Sequence, residues 1–386
     1  MTIIFSNTGN HDMNEVVISG VGLWKPGHSI SNEELVESYN AWAASDNATN
    51  QAAIDAGEIQ PKPFSSAEFI EKASGIKSRY AYRKEGILDI TRMRPKIERR
   101  GEDELSHQGE MALHAAKLAM ESAGKTADDI DMVIVSCAYT ERSYPAIAIE
   151  VQGALGIKGT GFDMLVACSA ATFALQRAHD AVAAGSAKAV LVISPELTSP
   201  QINYRDRDSH FIFGDVSTAV IIEPKDTATA ANQFKILGTK SQTVFSNNIR
   251  SNFGYVSRAE DIDPFMDENL FHQNGRSVFK EVCPMAAAHL QDQIEKVGLV
   301  TTDIRRWWLH QANLNMNQLI IRRVLGRDAS QDESPTVLDT FANTASAGSI
   351  IAFCLNHEDL AVGDKGVICS FGAGYSIGSL VLEKCS

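Results

Sequence analysis

Two stretches of this chain are written in one grammar, and that repetition constrains the fold more than any other feature. The first is GKTADDIDMVIVSCA (residues 124–138), and the second is GLVTTDIRRWWLHQA (residues 298–312). Each has a Gly that can cap a preceding helix, a short Thr/Asp turn and an apolar run of strand length. The preceding helices are read at Gly109–Ala123 and Cys283–Val297. The ends of the two halves also match, STAVIIE (217–223) against SIGSLVLE (376–383). Any two βα units share some of this pattern, but two matches in the same order argue for an internal duplication. The boundary falls near residues 224–235, giving halves 1–225 and 226–386.

The strands themselves point to a layered α/β protein. Val16–Val21, Asp131–Cys137, Ala187–Ile193 and Thr218–Glu223 are apolar without alternation. Such runs fit strands covered on both faces. Two stretches stand outside the repeat. Residues 39–66 read as a helical or looping insertion, and 83–104, a basic run followed by an acidic one, read as solvated surface.

Composition removes several classes of function. With 35 Lys and Arg against 48 Asp and Glu, the net charge is −13. A chain so acidic repels polyphosphate, which disfavours nucleic acid as the main partner. The six cysteines form no C-x-x-C pair, so the spacing of a tetrahedral metal site is absent. Scattered thiols fit a reducing cytoplasm. The first fifteen residues lack the basic start and apolar run of a secretion signal. No stretch approaches the ~20 apolar residues of a membrane span.

Four places carry chemistry. In FDMLVACSAATFALQ a strand-like run meets Cys168, and a helix follows from about Ser169. Free N–H groups at a helix start stabilise a thiolate or hold an oxyanion. Ordinary packing is the better account of a lone buried Cys. In WWLHQANLN, His310 sits at the end of a strand, as Cys137 does in the first copy; strand ends line ligand crevices in α/β sheets. Asn343, in ANTASAGS, opens the segment that matches the Cys168 segment in the repeat, so it is expected to face Cys168 across a pseudo-twofold axis. A plain helix cap is the simpler reading of that Asn. The turn SFGAGYSIG (370–378) lets backbone N–H groups approach a ligand.

Taken in order, VACSAATFAL, DRDSHFIFGD, LHQAN, ANTASAGS and FGAGYSIGS resemble the motifs of the β-ketoacyl-acyl-carrier-protein synthase III family of the thiolase superfamily. The resemblance runs from about residue 16 to the C-terminus, apart from the two insertions. It is greatest to the longer members that extend medium-chain acyl-CoA primers. It implies a thiolase-like duplicated α/β fold, a five-layer αβαβα sandwich. The implied reaction is a decarboxylative condensation of an acyl-CoA with malonyl-ACP in fatty acid biosynthesis, without metal or redox cofactor. The family also implies a homodimer, and acyl carrier protein as partner.

Residue by residue, the resemblance implies that Cys168 accepts the acyl group. His310 and Asn343 hold the malonyl thioester carbonyl as it becomes an enolate. The backbone N–H groups of Cys168 and Ala373 form a second oxyanion site. Arg207 and Phe69 flank the CoA adenine, and Arg322 and Arg323 dock the acidic carrier. Several positions depart from the family pattern. Ala373 stands in a Gly triplet, Asn315 and Ala73 replace arginines, and Tyr144 falls near an acyl-pocket gate. Rival readings are a degradative thiolase with Cys369 as second thiol, a hydroxymethylglutaryl-CoA synthase with Glu141 or Glu150 as base, and a non-catalytic chain-length factor.

Overall fold

A computed structural model describes residues 14–386, apart from 262, 264 and 265. Most of the N-terminal stretch read for a secretion signal lies outside the described residues.

Nine strands form one ladder. The first half supplies Thr160–Leu165, Met132–Cys137, Val190–Glu196, Val216–Pro224 and Val16–Trp24, in that spatial order. The second half supplies Ile304–Leu309, Lys365–Gly372, Gly374–Lys384 and Phe234–Ser246. Within the ladder the halves join at two strand-paired positions, Val17 with Lys235 and Ile18 with Phe234. Where the first half has its edge strand, the second has a single bond, from Trp307 N–H to the Glu333 carbonyl (2.8 Å). The chain crosses between halves from Pro224 to Phe234.

The layers follow from which way successive side chains point. Val133 and Val135 face an outer core with Ala115 and Ala119, whereas Ile134 faces the middle. In the second copy Trp307 faces outward, and its neighbour Trp308 inward. Strand alternation with both faces covered gives three cores and five layers. Helices His107–Ala123 and Ile147–Leu155 lie outside the first half-sheet. Gly275–Lys296 and Leu314–Leu325 lie outside the second. Ala170–Ala183 and Gly348–Leu355 fill the middle, between the two.

Local chemistry explains the first outer helix. Ser106 Oγ accepts the Gly109 N–H at its start (3.0 Å), and Gly124 closes it with φ 65°. Its alanine face sits so close to the strand Val16–Trp24 that a Cβ on Gly22 would lie 2.2 Å from the Ala115 carbonyl oxygen.

Two expectations need correction. The helix read at Cys283–Val297 spans Gly275–Lys296, with Pro284 inside it and Asn274 as its cap. The segment 83–104 is not simply solvated surface. Ile87 and Met93 are buried, and Arg100 pairs with Glu110. The insertion 39–66 is helical in its first part, within Asn32–Thr49 and Gln51–Asp55. Its return loop is clipped back by Asn40, which both donates to the Ser65 carbonyl (3.0 Å) and accepts its N–H (2.8 Å).

Candidate active site

The strand Thr160–Leu165 runs into a single 3-10 turn, Ala167–Ser169, and then the helix Ala170–Ala183. The turn opens with Ala167 at φ 43°, a left-handed conformation that costs a non-glycine residue energy. The second half repeats the device: Ala345 has φ 45°, the 3-10 turn is Ala345–Ala347, and the helix is Gly348–Leu355. The counterpart of Cys168 is therefore Ser346, and Asn343 stands three residues earlier. This corrects the expected register, in which Asn343 was the facing partner.

Despite that shift, Cys168, His310 and Asn343 line one cavity of about 300 Å³. Its walls are mostly apolar, including Phe69, Phe213, Phe271, Phe279 and Phe371. Gly372 lies beneath the cysteine and lines the same space.

Burial and hydrogen bonding set the states of Cys168, His310 and Asn343. Burial pushes the Cys168 thiol up to about 12, and the buried Glu196 carboxyl adds to this. The backbone N–H groups of Ala373 and Cys168 pull the other way. The helix start expected to favour a thiolate is thus outweighed by desolvation. His310 is 1% exposed, and burial lowers its pKa to about 3, so its ring is neutral at neutral pH. Its Nδ1 is buried with no hydrogen-bond partner among the described residues. Asn343 Oδ1 accepts the Ala345 N–H (2.9 Å). Only oxygen can accept there, so the carboxamide NH₂ is left as a donor.

Other sequence candidates lie farther out. The Arg207 guanidinium stacks on the Phe69 ring at 3.8 Å, and its Nε donates to the Phe64 carbonyl (2.9 Å). The two groups expected to flank a base thus lie against each other. Arg322 and Arg323 are exposed in the last turn of Leu314–Leu325, with Arg322 Nε donating to Asp328 (2.5 Å). Asn315 is exposed at the start of the same helix, and Ala73 lines the cavity. Tyr144 is 79% exposed and does not line this cavity.

The rival residues are committed elsewhere. Glu141 accepts the N–H groups of His107 and Gln108 at a helix start. Glu150 accepts the Ser106 hydroxyl and pairs with Arg142. Cys369 faces the outer core of the second half, and burial pushes its thiol far up.

Sequence reasoning had Gly372 only as part of the Gly-rich turn, and it missed Glu196. Glu196 ends the apolar strand Val190–Glu196, and a charged residue at such a strand end was the available signal.

Known proteins are similar to this chain. Residues 162–243 match 3-oxoacyl-[acyl-carrier-protein (ACP)] synthase III, and residues 294–384 match its C-terminal part. A β-ketodecanoyl-[acyl-carrier-protein] synthase from Pseudomonas aeruginosa is 52% identical over 90% of this chain and 100% of its own length. A β-ketoacyl-[acyl-carrier-protein] synthase III from Clostridium perfringens is 28% identical over 96% of this chain and all of its own. Among solved structures, the priming β-ketosynthase of the R1128 polyketide pathway superposes with TM-score 0.77 at 22% identity, covering 99% of both chains. The 3-oxoacyl-(acyl carrier protein) synthase III of Pseudomonas aeruginosa PAO1 gives 0.75 at 21%, covering 96% of this chain and 99% of its own. The chain belongs to the β-ketoacyl-[acyl-carrier-protein] synthase III family, with its thiolase-like fold and its acyl-transferring condensation chemistry.

Proposed function

We propose that this enzyme extends a medium-chain acyl-CoA primer, such as octanoyl-CoA, by two carbons taken from malonyl carrier protein. The Cys168 sulfur attacks the primer thioester, the C–S bond to CoA breaks, and the thiol proton ends on the CoA sulfur. The malonyl thioester then enters, and its C–C bond to the carboxylate breaks to release CO₂. The electron pair left behind becomes an enolate whose oxygen faces His310 and Asn343. The enolate carbon attacks the acyl-Cys168 carbonyl, and the tetrahedral adduct collapses. The β-ketoacyl carrier protein leaves, and the Cys168 sulfur recovers a proton from solvent. The steps balance with no metal and no redox cofactor.

One observation carries the reading: a thiol, a neutral imidazole and an outward-facing carboxamide NH₂ share an apolar cavity. Two neutral donors suit an oxygen that gains charge only in the transition state, where each is worth roughly 3 kcal/mol. The Ala373 N–H suits the second oxyanion because it already approaches the sulfur. The medium-chain primer is supported by the 52% identical relative, whose name specifies a ten-carbon product.

The same proposal assigns Arg207 and Phe69 to the CoA nucleotide, and Arg322 and Arg323 to the acidic carrier. It includes a homodimer formed along the edge strand Thr160–Leu165, where Leu165 is 54% and Phe162 38% exposed. A cytoplasmic location is supported by six cysteines that are all free. Among the described residues, no helix is long and apolar enough to cross a membrane.

Incubation with octanoyl-CoA followed by mass spectrometry tests this. The expected result is one octanoyl adduct on the wild type and none on Cys168→Ala. An adduct surviving in the mutant, or absent from the wild type with every primer tried, overturns it.

A further inference from the structure

The turn that presents Asn343 is held by the other half of the molecule as well as by its own. Glu196, at the end of a first-half strand, is 0% exposed. Its Oε1 accepts the Ser346 N–H (2.9 Å) and the Ser346 hydroxyl (2.5 Å). The Ala138 N–H, just past the strand Met132–Cys137, approaches both carboxylate oxygens, at 3.1 and 3.2 Å. The Ser346 hydroxyl also reaches the Ser136 carbonyl (3.2 Å). One buried side chain thereby ties two first-half strands to a second-half turn.

Ala345 lies between the two tethers. Its N–H holds Asn343 Oδ1, and the next residue, Ser346, is gripped by Glu196. Ala345 is also the residue at φ 45°. A left-handed alanine persists only where its surroundings over-determine it. Asn343 itself has few other constraints, being linked through its backbone to Ile212 and Gly214. Without Glu196, Ala345 is free to relax, and the acceptor-to-donor orientation of the Asn343 carboxamide goes with it.

We propose that Glu196 is a positioning residue for Asn343: through Ser346 and the strained Ala345 it aims the carboxamide NH₂ into the Cys168 cavity. It touches no substrate. Among the described residues no cation pairs with the carboxylate; burial raises its pKa to about 7, and the Ser346 and Ala138 donors oppose that rise. Removing this buried acceptor would leave the Ser346 and Ala138 N–H groups unpaired.

This inference rests on the role proposed for Asn343, and the test separates the two. Two half-reactions are read on the full-length protein. One is octanoylation of Cys168 by octanoyl-CoA, followed by mass spectrometry. The other is CO₂ release from malonyl carrier protein. Asn343→Ala is expected to slow CO₂ release about 100-fold. Glu196→Ala is expected to approach that loss, with Cys168 octanoylation within about 3-fold of wild type. Ser346→Ala, which keeps the backbone N–H, is expected to lose about 10-fold. Glu196→Gln, which keeps one acceptor oxygen, is expected to fall between Glu196→Ala and wild type. An unfolded Glu196→Ala leaves Ser346→Ala and Glu196→Gln to decide. If either half-reaction pattern reverses, or if both half-reactions fall together in these variants, Glu196 has no positioning role. If Asn343→Ala releases CO₂ at the wild-type rate, the role of Asn343 fails instead.

Discussion

Gly372 lies directly against Cys168: a Cβ at position 372 would stand 2.5 Å from the Cys168 Cβ and 3.0 Å from its sulfur. The strand end Lys365–Gly372 and the strained turn at Ala167 thus hold the nucleophile from both sides. Gly372→Ala must push the cysteine out of place, and a displacement near 1 Å costs on the order of 100-fold in rate. The expected outcome is a protein that melts like wild type within a few degrees but is octanoylated about 100-fold more slowly.

The Cys168 thiol, pushed up to about 12 by burial, stays protonated through the ordinary thiol range. Alkylation by iodoacetamide needs the thiolate. Its rate at Cys168, followed by peptide mapping, is expected to keep rising beyond pH 9 with no plateau. A plateau at or below the unperturbed thiol value would contradict the desolvated state.

Burial lowers the pKa of His289 to about 4, while Nε2 lies 2.8 Å from the Ser379 hydroxyl. The unfolded chain binds a proton near pH 6.5 that the native ring refuses until about pH 4. Stability is therefore lost as pH falls through that window, by up to about 1.4 kcal/mol per pH unit for this one group. Denaturant melts of His289→Gln against wild type are expected to show the difference. The wild type loses ground to the variant from pH 6.5 down to about 4, and the gap is constant above pH 7.

Arg207 lies over Phe69 and is tied to the Phe64 carbonyl, on the return loop of the 39–66 insertion. If it meets the nucleotide, only substrates that carry one should sense its loss. Arg207→Ala is expected to raise the KM for octanoyl-CoA about 10-fold, as for a lost stacked cation and hydrogen bond. It should leave the KM for an octanoyl-pantetheine thioester unchanged. Equal effects on both would place Arg207 outside the nucleotide contact.

The duplication and five ordered motifs were legible because each leaves a linear trace: apolar runs, Gly caps and small residues at fixed order. That Cys168, His310 and Asn343 line one cavity was readable for that reason. The offset between Asn343 and Cys168 was not, because it depends on the left-handed Ala167 and Ala345, and alanine carries no sequence signal for that conformation. Glu196 was missed because its partners, Ser346 and Ala138, lie 150 and 58 residues away. The start of Gly275–Lys296 was missed because Pro284 reads as a helix boundary, whereas here the helix runs through it.

The middle core draws Ile134, Val192 and Leu175 from one half and Ile350, Trp308 and Leu380 from the other. Neither half can cover its inner surface alone, so the two are co-solutes of a single interior. Cutting the chain between Pro224 and Phe234 would sever covalent continuity while leaving that interior intact. Two fragments expressed together have reason to reassemble into one working enzyme, whereas either expressed singly would present an open greasy face to water.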